Sequence, residues 1–205
     1  MIHIQYPAII VISPLIAAFF ISISGWLKKG LCFYLATVSL SLSFISSMIL
    51  LHLIIRYGPI GYHLGGWSPP WGIEYYVDHL NGLVLVVISG VALLNLIATK
   101  KQVMDEFYEK IGAFYTLYVL MVTGLIGIAI TGDTFNLYVL LEIASLTGYG
   151  IISMGNKDRA PLSALNYLYL GTIGACFYLL GIGYIYIMTG SLNTVSYTHL
   201  TLPTN

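Results

Sequence analysis

Charge is what this chain has least of. Asp, Glu, Lys and Arg make up 8% of its 205 residues, against about 25% in a soluble globular domain. The eight acidic and eight basic side chains cancel, so no basic patch marks a nucleic-acid surface. Cysteine is as scarce. Cys32 and Cys176 each lie in an apolar stretch, with neither the spacing nor the context of a disulfide or metal site, and both read as small packing residues. No GxGxxG or P-loop spacing follows a strand, so no phosphate cradle is expected, and no cofactor is implied. Met1 to Gln5 carries no Lys or Arg. The pair Lys28–Lys29 follows the first apolar run instead of preceding it, the reverse of a secretory leader.

What remains is apolar. Hydrophobic residues make up 58% of the chain and the mean hydropathy is +0.88, which marks an integral membrane protein in contact with a lipid bilayer. Six runs have the length of a membrane-spanning helix, about 20 residues: Tyr6–Trp26, Leu31–Tyr57, His79–Ala98, Ile111–Thr131, Thr134–Met154 and Pro161–Met188. Barrel strands need only about ten residues with strict alternation, and these runs do not alternate. The fold class is therefore all-α, a polytopic membrane helix bundle. Gly58 to Val77, rich in Pro and Gly, reads as a loop at the membrane surface. Trp67, Trp71, Tyr75 and Tyr76 within it suit the interfacial aromatic belt. Thr131–Gly132–Asp133 is so short a turn that the fourth and fifth spans must be antiparallel neighbours. The chain divides into a three-span segment, 1–110, and a second segment, 111–193, that holds the remaining spans.

The cations orient the bundle. With the N-terminus outside, Lys28, Lys29, Lys100, Lys101, Lys110, Lys157 and Arg159 fall inside, and Arg56 alone falls outside. That distribution follows the positive-inside rule. Asp105, Glu106, Glu109 and Lys110 read as a solvated, mixed-charge loop on the inner side.

Glu142 lies near the middle of the fifth span, in a stretch otherwise free of charge. A carboxylate there costs about 2.5–3.5 kcal/mol on insertion scales, so an intramembrane ionisable group is by default a functional candidate. Helical spacing places Tyr138, Ser145 and Tyr149 on its face. Leu140, Leu141, Ala144 and Gly148 are expected on the opposite face. A titratable group flanked by hydroxyls is what a proton relay needs. The alternative is a protonated carboxyl and hydroxyls that serve helix–helix hydrogen bonding. Asp133, before the first turn, either caps the helix or admits protons. Asn166, in the first turns of the sixth span, reads as a cap, an interhelical contact or a partner of the Glu142 helix. Gly171 and Ala175 form a small-xxx-small packing pair. His52 and His79 sit at membrane boundaries and read as interfacial.

At this point the residues resemble a family. The run from Thr131 to Glu142 (TGDTFNLYVLLE) resembles the fifth-helix motif of antiporter-like membrane subunits, found in Mrp-type cation/proton antiporters, complex I and membrane-bound hydrogenases. Tyr62–Trp67 (YHLGGW), with Gly72–Ile73 and Asp78, resembles the corresponding region of the Mrp D-type subunit. Gly171–Ala175 (GTIGA) and Met188–Asn193 (MTGSLN) resemble its sixth helix and exit. The resemblance implies a subunit of about fourteen helices built round inverted repeats, of which residues 1–193 are an N-terminal part. It implies that Glu142 is the proton-handling glutamate and that its partner lysine lies on a later helix. It also implies that neighbouring membrane subunits are partners and that protons, with Na+ as a candidate, are the cargo. Location in a prokaryotic inner membrane follows. Many relatives carry Lys where Asn166 stands and others a neutral amide. A redox role, as in an NADH:quinone oxidoreductase or a hydrogenase, would place the redox centres in partner subunits. A fragment with half of one proton path is not expected to transport alone.

The tail is expected to be foreign. Relatives continue after Asn193 with a Met-Ala-Asp-like segment, whereas residues 195–204 read as the translation of a transposon-type sequencing adapter, with Thr194 at the junction. The expectation is a library artefact, covering 194–205, on a truncated gene. The alternative is a real polar tail.

Overall fold

The computed structural model describes residues 5–69 and 71–194. The reading of 195–205 as adapter-derived lies outside them. The helices are α1 (Tyr6–Leu27), α2 (Lys29–Tyr57), α3 (His79–Ala98), the short α4 (Lys100–Glu106), α5 (Ile111–Ile130), α6 (Thr134–Ser153) and α7 (Ala160–Thr189). Six of these segments are long and apolar enough to cross a membrane, and their limits lie within three residues of those expected. Large apolar side chains such as Phe19, Phe20, Leu94, Phe177 and Ile187 are exposed, as the outside of a lipid-immersed bundle requires.

Two segments differ from expectation. Gly58–Val77 is not a plain loop. Strands β1 (Ile60–His63) and β2 (Glu74–Val77) pair antiparallel, Ile60 with Val77 and His63 with Glu74. Tyr75 and Val77 alternate into the core, a period-2 pattern carried by β-favouring residues. The inner connection is also more ordered than a loop. Val103 of α4 is buried and Phe107 stacks on Phe114, with ring centroids 5.2 Å apart, while Asp105, Glu106, Glu109 and Lys110 stay exposed.

The core is formed by α1, α2, α3 and α5, and α6 joins it through α5. Glycines set a close crossing of α1 and α5. A Cβ at Gly25 would stand 2.8 Å from the Gly112 Cα, and one at Gly112 would stand 2.7 Å from the Gly25 Cα. Small residues of this kind let transmembrane backbones approach. Serines fasten α2. Ser39, Ser43, Ser46 and Ser47 are buried, and Ser47 Oγ meets Ser89 Oγ of α3 at 3.0 Å.

Pro14 interrupts α1. Its missing N–H frees the carbonyl of Ile10, four residues back, and Ser43 Oγ donates to that oxygen at 2.6 Å. Within a bilayer no water replaces the lost bond. Ser43→Ala is therefore expected to cost about 1–2 kcal/mol, and much less in a Pro14→Ala background, where the helix supplies its own donor. A double-mutant cycle read by thermal unfolding in detergent checks this; strictly additive costs would refute the pairing.

All connections at one end of the bundle meet the hairpin. Tyr62 donates to Gln5 Oε1 at 2.8 Å, Tyr75 bridges to Thr131, and Asp133 bridges to Asn193. The opposite end carries Lys28, Lys29, Lys100, Lys101, Lys110, Lys157 and Arg159. There Lys29 lies 3.8 Å from Glu109 and 4.4 Å above the Tyr108 ring. Both partners are exposed enough that the ion pair contributes little.

Candidate functional site

Helix α6 begins at a well-tied cap. Asp133 Oδ1 accepts from the Asn136 backbone N–H at 2.7 Å, and Asn136 Nδ2 donates to Thr131 Oγ1 at 2.9 Å. The Thr134 hydroxyl donates to the Leu192 carbonyl at 2.8 Å. Of the two readings of Asp133, the geometry supplies the cap directly.

Burial raises the Asp133 pKa above its ordinary 3.8, and backbone N–H groups of Asn136 and Phe135 hold part of the rise back. A raised folded-state pKa contributes stability that is complete below the unfolded value and lost as pH rises through the folded one. Asn keeps the capping acceptor without the charge. Asp133→Asn is thus expected to match the parent near pH 3 and to exceed its thermal stability at neutral pH. Asp133→Ala, with no acceptor, should fall about 1 kcal/mol below Asn at every pH. A melting series across pH tests both, and an Asn variant that tracks the parent throughout would show that titration and folding are uncoupled.

Further along α6, one face packs on α5. A Cβ at Gly124 would meet Ala144 and Leu140, and one at Gly127 would overlap the Leu140 side chain. Leu141 and Gly148, expected on the same face, do not join this contact. Leu141 is 37% exposed and a Cβ at Gly148 meets nothing, because the stripe in contact with α5 runs through Leu140, Ala144 and Gly150, where a Cβ would stand 3.0 Å from the Leu117 side chain.

The other face turns to α7. Tyr138 stacks on Tyr178, centroids 6.4 Å apart and 13° between planes. Tyr149 lies 6.3 Å from the Tyr167 ring, and its hydroxyl occupies the space where Gly171 would carry a Cβ. These two contacts fix an antiparallel register that puts Glu142 level with Gly174. Glu142 and Ser145 lie between the two tyrosines on this face and are half-buried. Among the described residues Glu142 has no ion-pair partner, and neither α6 nor α7 carries a Lys or Arg. Asn166 is exposed on α7 and hydrogen-bonds to no residue of α6 among the described residues. Of α7, only Ala164 and Ile182 are buried.

A second polar cluster, at the hairpin end, was not anticipated. Glu74 on β2 stands opposite His63 on β1, with Oε1 3.6 Å from His63 Nε2. Its Oε2 accepts from Asn193 Nδ2 at 2.8 Å and its carbonyl from the Gly132 N–H at 2.9 Å. Tyr75 beside it is buried, which raises its pKa, while a hydrogen bond to the Asn136 side chain lowers it in part. The YHLGGW run and Gly72–Ile73 had marked the segment, but a loop assignment gave no reason to pair position 63 with 74.

Comparison with known proteins agrees with this architecture. The chain is 39% identical over 191 residues to NADH-quinone oxidoreductase subunit N of Desulforudis audaxviator, covering 91% of this chain and 37% of that one. It is 31% identical over 162 residues to a protein named for an antiporter subunit, mnhD2, of Staphylococcus haemolyticus, covering 78% of this chain and 31% of that one. The chain belongs to the antiporter-like membrane-subunit family. A chain of an archaeal membrane-bound sulfane sulfur reductase, a respiratory membrane complex, superposes on this antiporter-like subunit with TM-score 0.85. It shares 32% identity over 92% of this chain and 38% of that one. A chain of the Mrp complex of Dietzia sp. DQ12-45-1b superposes with TM-score 0.78 at 19% identity, covering 94% of this chain and 36% of that one, and shows the shared fold. No protein-family model matches the chain. The chain thus spans about a third of the length of these relatives, and it is an integral membrane protein.

Proposed function

We propose that this chain is part of a proton-translocating subunit of a multisubunit monovalent cation/proton antiporter, in the manner of the Mrp D-type protein. The observation that carries the reading is the α6 face turned to α7, where an unpaired carboxylate, Glu142, sits among hydroxyls in the middle of a span. Glu142 takes up and releases the proton. Tyr138, Ser145 and Tyr149 supply hydroxyls beside it, Asp133 stands at the mouth, and Asn166 extends the polar stretch on α7. A cation approaching Glu142 would lower its proton affinity and desolvation would raise it, so a mobile positive charge loads and unloads the proton. Other membrane subunits are the partners, and protons and Na+ the cargo. The seat is a prokaryotic cell membrane with the hairpin and N-terminus outside, since the lysine-bearing end then faces in.

A second reading is favoured by the 39% identity to the quinone oxidoreductase relative: a membrane subunit of an NADH:quinone oxidoreductase or related respiratory complex. Vesicles that carry the full gene product with its neighbouring subunits separate the two. Collapse of an imposed pH gradient on adding Na+ supports antiport. Indifference to Na+, with proton uptake driven only by electron flow, supports the respiratory complex.

A further inference from the structure

We propose that His63 and Glu74 form a proton-exchange pair at the hairpin end of the α6 route. The proposal rests on the reading of Glu142 as a proton carrier and extends it to the aqueous surface. Three observations carry it. The pair spans the boundary between wet and dry, with side-chain exposure of 44% for His63 and 17% for Glu74. Glu74 is tied to the mouth of α6 twice, through its carboxylate on Asn193, whose backbone bridges to Asp133, and through its backbone carbonyl on the Gly132 N–H. Its place is kept open by Gly61, where a Cβ would stand 2.9 Å from Glu74 Oε1. Titratable groups are thereby set out in order from the surface inwards: His63, Glu74, Asp133, then Tyr138 and Glu142 along α6. At about 1.5 Å rise per residue, Glu142 lies about 13 Å down the helix from Asp133.

The step balances without a co-reactant. A proton from water bonds to Nε2 of neutral His63. The N–H bond then breaks as an O–H bond forms at Glu74 Oε1, which leaves a neutral imidazole and a neutral carboxyl. Release towards Asp133 restores the carboxylate, and the sequence runs in either direction. The 3.6 Å gap is closed by one water or a small side-chain rotation. Imidazole suits this place because its ring nitrogens can both accept and donate a proton. Among the described residues, the other titratable or charged groups at this end are Tyr6 at the start of α1, Arg56 and Tyr57 at the end of α2, Tyr62 on β1, Tyr75 and Tyr76 on β2, Asp78 and His79 at the start of α3, and Asp133 before α6. The segment after α7 brings the neutral Ser191, Asn193 and Thr194.

The bland alternative is a carboxylate that only ties the hairpin down. Glu74→Gln separates the two, since the amide oxygen still accepts from Asn193 but takes no proton. In the full-length protein within its complex, Glu74→Gln is expected to slow proton transport about tenfold and to flatten the pH dependence of the rate. Normal rate and pH profile in Glu74→Gln, with Glu142→Gln inactive, would overturn the pair and leave Glu142 standing. Transport that survives Glu142→Gln would overturn the underlying reading instead. If Glu74→Gln prevents assembly, His63→Gln decides: a shifted pH profile upholds the pair, and an unchanged one overturns it.

Discussion

Glu142→Gln is expected to abolish proton transport by the full-length protein, a loss of about a hundredfold or more, while the complex assembles in normal amount. The substitution keeps the size of the side chain and its hydrogen-bonding oxygen and removes only the capacity to carry a proton. A neutral amide is also easier to hold in a span than a carboxylate, whose insertion costs about 2.5–3.5 kcal/mol, so folding has nothing to lose. The packing supports this separation. Leu140, Ala144 and Gly150 pack α6 on α5, and Tyr138 and Tyr149 hold it on α7. Glu142 belongs to neither set of fastenings. Glu142→Asp, which retains the proton but draws it back from its neighbours, should keep a fraction of the rate. Proton flux in vesicles, normalised to the amount of assembled complex, makes the comparison. Full transport in the Gln variant would remove Glu142 from the mechanism.

Gly112→Val is expected to have the largest effect on stability, about 3 kcal/mol or more. At the α1–α5 crossing the added atoms would meet the backbone of Gly25, 2.7 Å from a new Cβ to its Cα. A side chain can rotate out of the way, but a helix backbone can only part from its neighbour, and α1 with α5 forms the centre of the bundle. Gly25→Val should behave alike, because the contact is mutual at 2.8 Å. Gly30→Ala is the control: a Cβ there meets nothing, and Ala is the better helix former. Thermal midpoints in detergent should fall steeply for the first two and hold or rise for the third. Equal midpoints for Gly112→Val and Gly30→Ala would contradict the close crossing.

The helices were legible because a span advertises itself by length and by lack of charge, and the short turn at 131–133 forced the α5–α6 neighbourhood. The α6 face that carries Glu142, Tyr138 and Tyr149 was legible for a similar reason, since i, i+4 and i+7 spacing needs no partner to be read. What spacing cannot say is which neighbour a face meets. Gly171 read correctly as a packing residue, but only the fold shows that it receives the Tyr149 hydroxyl. Leu141 and Gly148 share the helix with Leu140 and still miss α5, because a stripe is narrower than half a helix. The hairpin was hidden because its strands are four residues each and their Tyr residues also suit an interfacial belt. Its partners Gln5, Thr131, Gly132 and Asn193 lie far from it along the chain. The Pro14–Ser43 pairing was hidden likewise, for it joins positions 33 residues apart through a backbone oxygen.

The most direct test is to watch the Glu142 carboxyl itself. Difference infrared spectra of the full-length protein in its complex would be recorded while a pH gradient is imposed and collapsed, for the parent and for Glu142→Gln. The expected result is a protonated-carboxyl band that appears and fades with the gradient in the parent and is missing from the variant. A band that persists in the variant, or a parent carboxyl that never changes state, would contradict the assignment of Glu142 as the proton carrier.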